Sequence, residues 1–235
     1  MVRSELVKRS PWRILERTTH GGLGKGNLGA IAARRGVGKT ACMVHLATDQ
    51  LLEGRQVIHV SFSANTSHIV DWYEDIFSEV AQIQGLENAM EVHDEIIRHR
   101  IIMNFNQQAV PLTKVLGSVR SMIRDGHFAA DLIIVDGYDF ALVSRQELQE
   151  VRSFAAELGL EIWFSVSLGH EEPKFTPGGV PELLAGVLEE LAILICLRAE
   201  ERHVLLELVK DHGAPVVGTL HLELDPKTLL ISKAG

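Results

Sequence analysis

The sequence predicts a three-layer α/β fold, in which helices cover both faces of a mostly parallel central sheet that ends in a C-terminal β-hairpin. Three observations support this class. An apolar segment, a loop with two glycines and a helical segment follow one another over residues 28–45. A continuous apolar segment, Leu132–Asp136, is typical of a strand at the centre of a parallel sheet. Strand and helix patterns alternate up to about residue 190, and strands alone follow.

The size and charge of the chain exclude several classes of protein. With 235 residues, 46% of them apolar, the chain can bury a core without disulfides or metals. We expect residues 1–20 to form a polar arm and residues 21–235 to form the domain. The formal net charge of −8 argues against strong nucleic-acid binding. The start lacks the apolar core of a signal peptide, and no uncharged apolar run is long enough to span a membrane, which predicts a cytoplasmic protein.

In the first half of the chain, strands and helices are predicted to alternate. The first strand begins at Leu28, after the turn-rich segment Gly21–Asn27. An amphipathic helix is expected over Lys39–Leu52, and β-branched residues favour a second strand over Gln56–Ser63. The remaining elements are two helices within residues 66–98 that separate near Gly85, a strand over Ile101–Phe105 and a helix over Pro111–Arg124.

The second half continues the alternation and then changes character. Leu132–Asp136 is predicted as a buried strand, and Arg145–Leu158 as a helix that Gly159 ends. A second central strand is expected over Glu161–Leu168. The remaining segments are a loop over residues 169–180, a short helix over Pro181–Glu190, a strand over Leu191–Arg198, and a terminal hairpin made of His203–Lys210 and Gly218–Glu223.

The first glycine loop has the features of a phosphate-binding loop. Gly36 and Gly38 allow backbone conformations in which successive amides point at phosphate oxygens. Lys39 is then expected on the β- and γ-phosphates and the Thr40 hydroxyl on Mg²⁺. Ala33 stands where the usual pattern has its first glycine, so the alternative is a glycine turn with an incidental lysine. The predicted site for ATP or ADP comprises Ala33, Arg34, Arg35, Gly36, Val37, Gly38, Lys39, Thr40 and Ala41.

A second motif strengthens the first. Asp136 ends the buried strand Leu132–Asp136, and the carboxyl ends of parallel strands face the crevice where α/β sheets bind ligands. There it can hold Mg²⁺ opposite Thr40, so these two residues are the predicted metal ligands. Alone the pattern is weak, because any buried strand can end in aspartate. Together with the glycine loop, it indicates a nucleotide site.

These motifs resemble the ATPase domain of the RecA superfamily, and most closely its replicative hexameric helicase branch, the DnaB type. In that family alanine commonly holds the position of Ala33, which removes the mismatch. The resemblance covers nearly the whole chain, and it implies a RecA-like P-loop NTPase fold and binding of ATP with Mg²⁺. The similar segments are Thr19–Leu28, Ala32–Arg34, Gly38–Ala41, Val60–Ser63, Ile133–Asp136, Phe154–Leu160, Ser165–Leu168, Glu207–Pro215 and Gly218–Thr219.

The chain departs from the family at three catalytic positions. Asn65 stands where the family has the glutamate that polarises the attacking water, and Ser167 stands where its sensor strand has glutamine. In the closing hairpin, which in the family reaches the neighbouring subunit's nucleotide, Lys210 matches but His212 replaces an arginine. An amide cannot act as a general base, and histidine lacks the fixed charge of an arginine. The resemblance therefore implies that binding is kept and hydrolysis weakened.

Three functions remain open from the sequence. The first is an ATP- and Mg²⁺-binding protein, an ATPase at most, that acts as a nucleotide-responsive regulatory or assembly subunit, as a homo-oligomer or with a protein partner. The second is an active, self-assembling ATPase with a substitute base such as Glu74 or Asp71. The third is an interaction module that no longer binds nucleotide. DNA unwinding is not expected, because the loops Gly137–Arg145 and Gly169–Val180 offer no positive groove.

Overall fold

The computed structural model describes residues 2–63, 67–105, 110–228 and 230–233, and it has an α/β architecture. The helices are α1 (Arg3–Arg9), α2 (Trp12–Thr18), α3 (Lys39–Leu52), α4 (Ser67–Gln84), α5 (Ala89–Arg98), α6 (Leu112–Arg124), α7 (Arg145–Leu158) and α8 (Glu182–Ala185). The strands are β1 (Leu28–Ala33), β2 (Val57–Ser61), β3 (Arg100–Asn104), β4 (Leu132–Asp136), β5 (Glu161–Ser167), β6 (Ile193–Ala199), β7 (Val204–Asp211), β8 (Ala214–Leu224) and β9 (Ile231–Lys233).

The strands form one sheet that is parallel in its main part and antiparallel at one end. Their order is β3-β2-β4-β5-β1-β6-β7-β8-β9. Strands β1 to β6 pair in parallel, whereas β7, β8 and β9 add antiparallel strands beyond β6. The prediction of a mostly parallel sheet with a C-terminal hairpin is confirmed. Strand β9 was not predicted, and β8 begins earlier than the predicted second strand of the hairpin.

Helices cover both faces of the sheet, as the alternation of side chains along β4 shows. Leu132 and Ile134 belong to a core that includes residues of α3, α4 and α5. Ile133 and Val135 belong to a second core, with residues of α6 and α7. Successive side chains of a strand point to opposite faces of its sheet, and here each face meets its own set of helices. This arrangement is compatible with the predicted three layers.

Helix α3 differs from its prediction as an amphipathic helix. Every residue from Ala41 to Leu52 is buried. The core that contains α3 includes residues of the sheet, among them residues of β7 to β9, and residues of helices α1, α2, α4 and α5. The prediction of an exposed polar face was wrong, because distant parts of the chain close over this helix. Its bounds, Lys39–Leu52, were predicted correctly.

The N-terminal helices pack against α3. Trp12 is 1% exposed, and its indole Nε1 donates a hydrogen bond to His45 Nδ1 at 2.9 Å. The Arg3 guanidinium donates to the carbonyl oxygens of Leu51 at 3.1 Å and Leu52 at 2.5 Å. The Leu51 carbonyl also accepts from the Gly54 amide at 2.9 Å, so Arg3 adds a second bond there and supplies a partner to Leu52 at the end of the helix. The predicted arm is thus folded onto the helix that follows the glycine loop.

The segment before β6 also differs from its prediction. Residues 181–190 were expected to form one short helix, but α8 ends at Ala185 and a separate 3-10 turn covers Leu188–Glu190. Gly186 follows α8 directly, and glycine is a poor helix former. Most other boundaries agree within a residue or two. Among the described residues, no helix combines the length and the apolar character needed to cross a membrane.

Candidate functional site

A cleft of about 780 Å³ lies at the carboxyl ends of the parallel strands. Its size is typical of small-molecule sites, and its place is where open α/β sheets bind ligands. Loop 34–38, the start of α3 and the ends of β2, β4 and β5 contribute to it, as do α4 and the end of β8. The described residues that line it are Arg35, Gly36, Val37, Gly38, Lys39, Thr40, Phe62, Ser63, Trp72, Asp136, Gly137, Ser165, Ser167, Leu224 and Pro226.

The loop between β1 and α3 depends on its two glycines. Gly36 has φ +83° and Gly38 has φ +110°, both in the left-handed region that favours glycine. A Cβ on Gly36 would meet no atom within 4 Å, so the loop is open to the cleft at that point. A Cβ on Gly38 would lie 2.5 Å from Leu224 Cδ2, which means that the end of β8 packs directly on the loop.

Thr40 and Asp136 meet at the base of the cleft. Thr40 lies in the first turn of α3 and Asp136 is the last residue of β4, and both elements border the same core. The Thr40 Oγ1 hydroxyl donates a hydrogen bond to Asp136 Oδ2 at 2.9 Å. A hydroxyl and a carboxylate, both of them oxygen ligands of the kind that Mg²⁺ prefers, are therefore adjacent.

The ammonium group of Lys39 turns back onto the loop. Its Nζ donates to the carbonyl oxygens of Ala33 at 3.2 Å and Arg34 at 2.9 Å. Burial lowers the pKa of Lys39, and the nearby carboxylate of Asp136 opposes that shift. A phosphate in the cleft would replace neutral carbonyl acceptors with charged oxygens, which are stronger partners for an ammonium group.

The two arginines of the loop contact the loop that follows β5. The Arg35 amide donates to the carbonyl of Gly169 at 3.0 Å, and its guanidinium lies 3.4 Å from His170 Nε2. The Arg34 guanidinium pairs with Glu172 at 3.1 Å on the surface. Although both were predicted to bind nucleotide, only Arg35 is among the described residues that line the cleft.

Two serines of β5 line the cleft. Ser167, the predicted sensor position, ends the strand and lines the cleft. Ser165, which the sequence did not single out, accepts a hydrogen bond from the Gly137 amide at 2.9 Å. Since Gly137 follows Asp136, this bond fixes the backbone next to the carboxylate.

The predicted trans-acting residues, Lys210 and His212, do not lie at the cleft of their own chain. Lys210 is buried, and its Nζ donates to the carbonyls of Leu188 at 2.7 Å and Leu191 at 2.5 Å. The ring of His212 is partly exposed and lies 2.6 Å from Asp211 Oδ1. Neither is among the described residues that line the cleft. Their contact with a neighbouring subunit stays a prediction, which for Lys210 requires both bonds to break. Asn65 lies outside the described residues.

The proposed substitute bases on α4 are not among the described residues that line the cleft. Glu74 pairs with His93 and lies 3.7 Å from the Arg100 guanidinium. Of the described residues of α4, only Trp72 lines the cleft, so neither Glu74 nor Asp71 belongs to its wall. Asp136 is the single carboxylate among the described lining residues.

A pair of glycine substitutions tests the packing of β8 on the loop. We expect Gly38→Ala to lower the free energy of unfolding by about 1–3 kcal/mol, because alanine is strained at positive φ and its Cβ displaces Leu224. Gly36→Ala is the matched control, since it adds the backbone strain without the contact. Urea unfolding measures both. Equal losses in the two variants, or a Gly38→Ala loss that Leu224→Ala leaves unchanged, would contradict the contact.

Two buried histidines predict how stability depends on pH. Burial lowers the pKa of His45 and His59 from 6.5 to about 4, so the unfolded chain binds protons first as the pH falls. Each ring costs about 3 kcal/mol of stability by pH 4. Burial of Asp49 acts oppositely, because its pKa rises from 3.8 to about 6 and stability is lost as the pH rises through that range.

The stability regained as the two histidine rings lose their protons exceeds the stability lost as Asp49 ionises. We therefore expect the free energy of unfolding to increase from pH 4 to pH 6.5. His45→Asn, which keeps an acceptor for Trp12, should remove most of that increase. Urea unfolding at several pH values measures it, and an unchanged slope in the variant would be the contrary result.

Some site residues have no local sequence signal. Leu224 and Pro226 line the cleft although they lie far from the glycine loop in the chain. Trp72 packs against the core, and it also lines the cleft. No group of three or more His, Cys, Asp or Glu side chains that could hold a metal occurs within the described part of the chain.

Two comparisons of this chain with known proteins found no match. No protein-family model matches this chain, and a search of curated proteins finds no match either. The geometry of the site consists of an open glycine loop, a lysine and a threonine at the start of α3, and an aspartate that contacts the threonine.

Proposed function

We propose that this protein binds ATP or ADP together with Mg²⁺ and hydrolyses ATP weakly or not at all. The observation that carries the proposal is the hydrogen bond between Thr40 Oγ1 and Asp136 Oδ2, 2.9 Å long, beside a glycine loop that opens on the cleft. These are the two side chains that the sequence motifs assign to the metal. Their adjacency supports a common role for motifs that are far apart in the chain.

The loop suits a chain of phosphates. The amides of residues at the start of α3 have no partner within the helix, and the helix dipole adds positive potential there. Lys39 is the first residue of α3, and its two carbonyl partners are neutral. We propose that the β- and γ-phosphates take these donors. The apolar side chains of Trp72, Leu224 and Pro226 would then face the rest of the nucleotide.

The donor set fits Mg²⁺ that arrives with a nucleotide. Mg²⁺ usually keeps several waters and takes one or two protein oxygens together with substrate phosphates, not an all-protein cage. Thr40 supplies a hydroxyl and Asp136 a carboxylate at one place. With the ion bound, it would neutralise charge on the phosphates. Asp136, held by the backbone that Ser165 anchors, would orient the water around the ion.

We propose further that the fold is RecA-like and is related to the DnaB type. The mostly parallel sheet with an antiparallel end is compatible with this class, and the motif residues occupy the ends of β1, β4 and β5. The sequence resemblance supports the finer assignment.

The side chains around the glycine loop favour weak hydrolysis. Apart from Asp136, no described residue that lines the cleft carries a carboxylate, so none can take a proton from the attacking water. The hydroxyl of Ser167 is a weak substitute for an amide or a carboxylate. A protein that binds nucleotide and keeps it can report the bound state to other subunits. We therefore propose a regulatory or assembly role, in a homo-oligomer or with a protein partner.

Phosphate release with Asn65→Glu tests the weak hydrolysis. We expect wild-type turnover near background and a rise in the variant, because a positioned general base typically contributes 10²–10⁴-fold. Asn65→Gln is the control, because it matches glutamate in size and lacks its charge. Wild-type turnover that increases with protein concentration would favour the alternative, an active ATPase whose sites are completed between subunits.

A further inference from the structure

Helix α3 carries a polar stripe that contacts α2. His45, Thr48 and Asp49 are spaced three and four residues apart, so they share one face of the helix. All three are buried, with exposed fractions of 6%, 2% and 3%. Buried polar groups cost stability unless they form hydrogen bonds, so each of these side chains requires a partner.

The N-terminal helices supply hydrogen-bond partners to His45 and Asp49 but none to Thr48. The Trp12 indole is a donor only, so its bond to His45 Nδ1 leaves the proton of the neutral imidazole on Nε2. Asp49 Oδ2 accepts from the Arg13 guanidinium. Thr48 Oγ1 and Asp49 Oδ1 have no hydrogen-bond partner among the described residues, and neither does Arg13 Nε. By hydrogen-bond geometry, two acceptor oxygens of the stripe remain unsatisfied among the described residues. The Ser10 hydroxyl lies near enough to the Asp49 carboxyl to lower its pKa, but it does not complete a hydrogen bond to Oδ1.

The stripe lines a cavity of about 460 Å³, which we call the α3 cavity. It shares no lining residue with the cleft at the glycine loop. Its volume is within the range of small-molecule sites. About half of its remaining wall is aliphatic, and the side chains that form this part are Leu6, Leu52, Ile76, Val80, Ile83, Leu230 and Ile231. The rest of the wall includes Pro11 and the polar or charged residues Arg9, Ser10, Gln84, Asp225, Thr228, Ser232 and Lys233. Apart from the imidazole of His45, no described lining residue is aromatic.

We propose that the α3 cavity binds a small aliphatic molecule whose uncharged head both donates and accepts hydrogen bonds, as a primary amide does. The head would donate to Thr48 Oγ1 and Asp49 Oδ1 and accept from His45 Nε2. A charged head is disfavoured, because the lining cations Arg9 and Lys233 are balanced by the lining carboxylates of Asp49 and Asp225. The aliphatic wall suits a flexible chain better than a planar ring.

Hexanamide is a suitable probe, and N,N-dimethylhexanamide is its matched control, because it keeps the chain and the acceptor but has no N–H donor. The methyl resonances of Ile76 and Ile231 report on binding in a protein with labelled isoleucine methyl groups. We expect these resonances to shift and saturate with hexanamide. The dimethyl compound should bind about tenfold more weakly, because two buried acceptors stay unpaired.

Thr48→Val removes the unpaired hydroxyl at nearly constant volume. We expect it to keep or raise the stability of the protein and to weaken hexanamide binding about tenfold. Thr113→Val, on the exposed face of α6, is the control and should change neither. Val80→Phe should fill the cavity and abolish the saturable shifts. The Val80→Phe variant tests the site even if the change in hexanamide affinity caused by Thr48→Val is too small to measure.

Two results would overturn the proposal. The first is the absence of a saturable shift at millimolar hexanamide. The second is that hexanamide and N,N-dimethylhexanamide bind with equal affinity to the wild type, and also to Thr48→Val. The first would mean that water satisfies the stripe, and the second that chain length alone determines binding. The same titration with Lys39→Ala separates this site from the nucleotide cleft. Hexanamide should bind that variant as it binds the wild type, whether or not either protein binds ATP.

Discussion

Lys39→Ala is expected to abolish binding of Mg²⁺·ATP and to leave the fold intact. The lysine lies at the start of α3 in the wall of the cleft, and its ammonium group contacts only carbonyls of its own loop among the described residues. If those contacts are exchanged for phosphate oxygens, its removal costs two or more charge-assisted hydrogen bonds. We expect a loss of affinity of about 100-fold or more, measured by isothermal titration calorimetry.

The control for this variant is Lys114→Ala, on the exposed surface of α6, which should bind as the wild type does. Circular dichroism and urea unfolding of both variants should match the wild type, because neither side chain belongs to a core. Unchanged affinity in a folded Lys39→Ala protein would mean that the glycine loop does not hold the phosphates. Loss of folding would instead make the lysine a structural residue.

Trp12→Ala should produce the largest loss of stability. The indole is 1% exposed, belongs to the core around α3 and donates the hydrogen bond to His45 Nδ1. Truncation of a large buried aromatic residue typically costs 3–5 kcal/mol, and here it also leaves a buried acceptor unpaired. We therefore expect a decrease of about 4 kcal/mol or more in the free energy of unfolding, measured with urea.

Trp12→Phe separates the two contributions. It keeps most of the buried apolar surface and removes only the donor, so we expect a loss of about 1–3 kcal/mol. The comparison also tests whether the N-terminal helices unfold together with the domain. A loss below about 1 kcal/mol for Trp12→Ala would show that the helices fray independently and are not part of the cooperative core.

Local patterns predicted the elements of this fold well. The bounds of α3, β4 and α7 match the prediction, because a glycine turn, a continuous apolar run and the terminating Gly159 mark them locally. The burial of α3 could not be predicted in this way. It depends on which distant segments cover the helix, and the core residues of those segments are spread from Leu6 to Ile231.

The candidate site shows the same division. Gly36, Gly38, Lys39 and Thr40 lie in one short motif, so the sequence alone identified them. The contact between Gly38 and Leu224 joins segments that have no sequence relation, and it becomes visible only once β8 folds back over α3. Lys210 was chosen from the resemblance. Its burial against two carbonyls follows from the 3-10 turn at Leu188–Glu190, which the pattern had merged into one helix.

Direct binding of Mg²⁺·ATP and Mg²⁺·ADP to the wild-type protein, with phosphate release followed in the same samples, tests the proposed function most directly. The geometry of loop 34–38, Thr40 and Asp136 predicts saturable binding of both nucleotides. Turnover should stay near background at every protein concentration. Failure of either nucleotide to bind at millimolar concentration would contradict the proposal, and the chain would then be an interaction module that keeps the fold without the ligand.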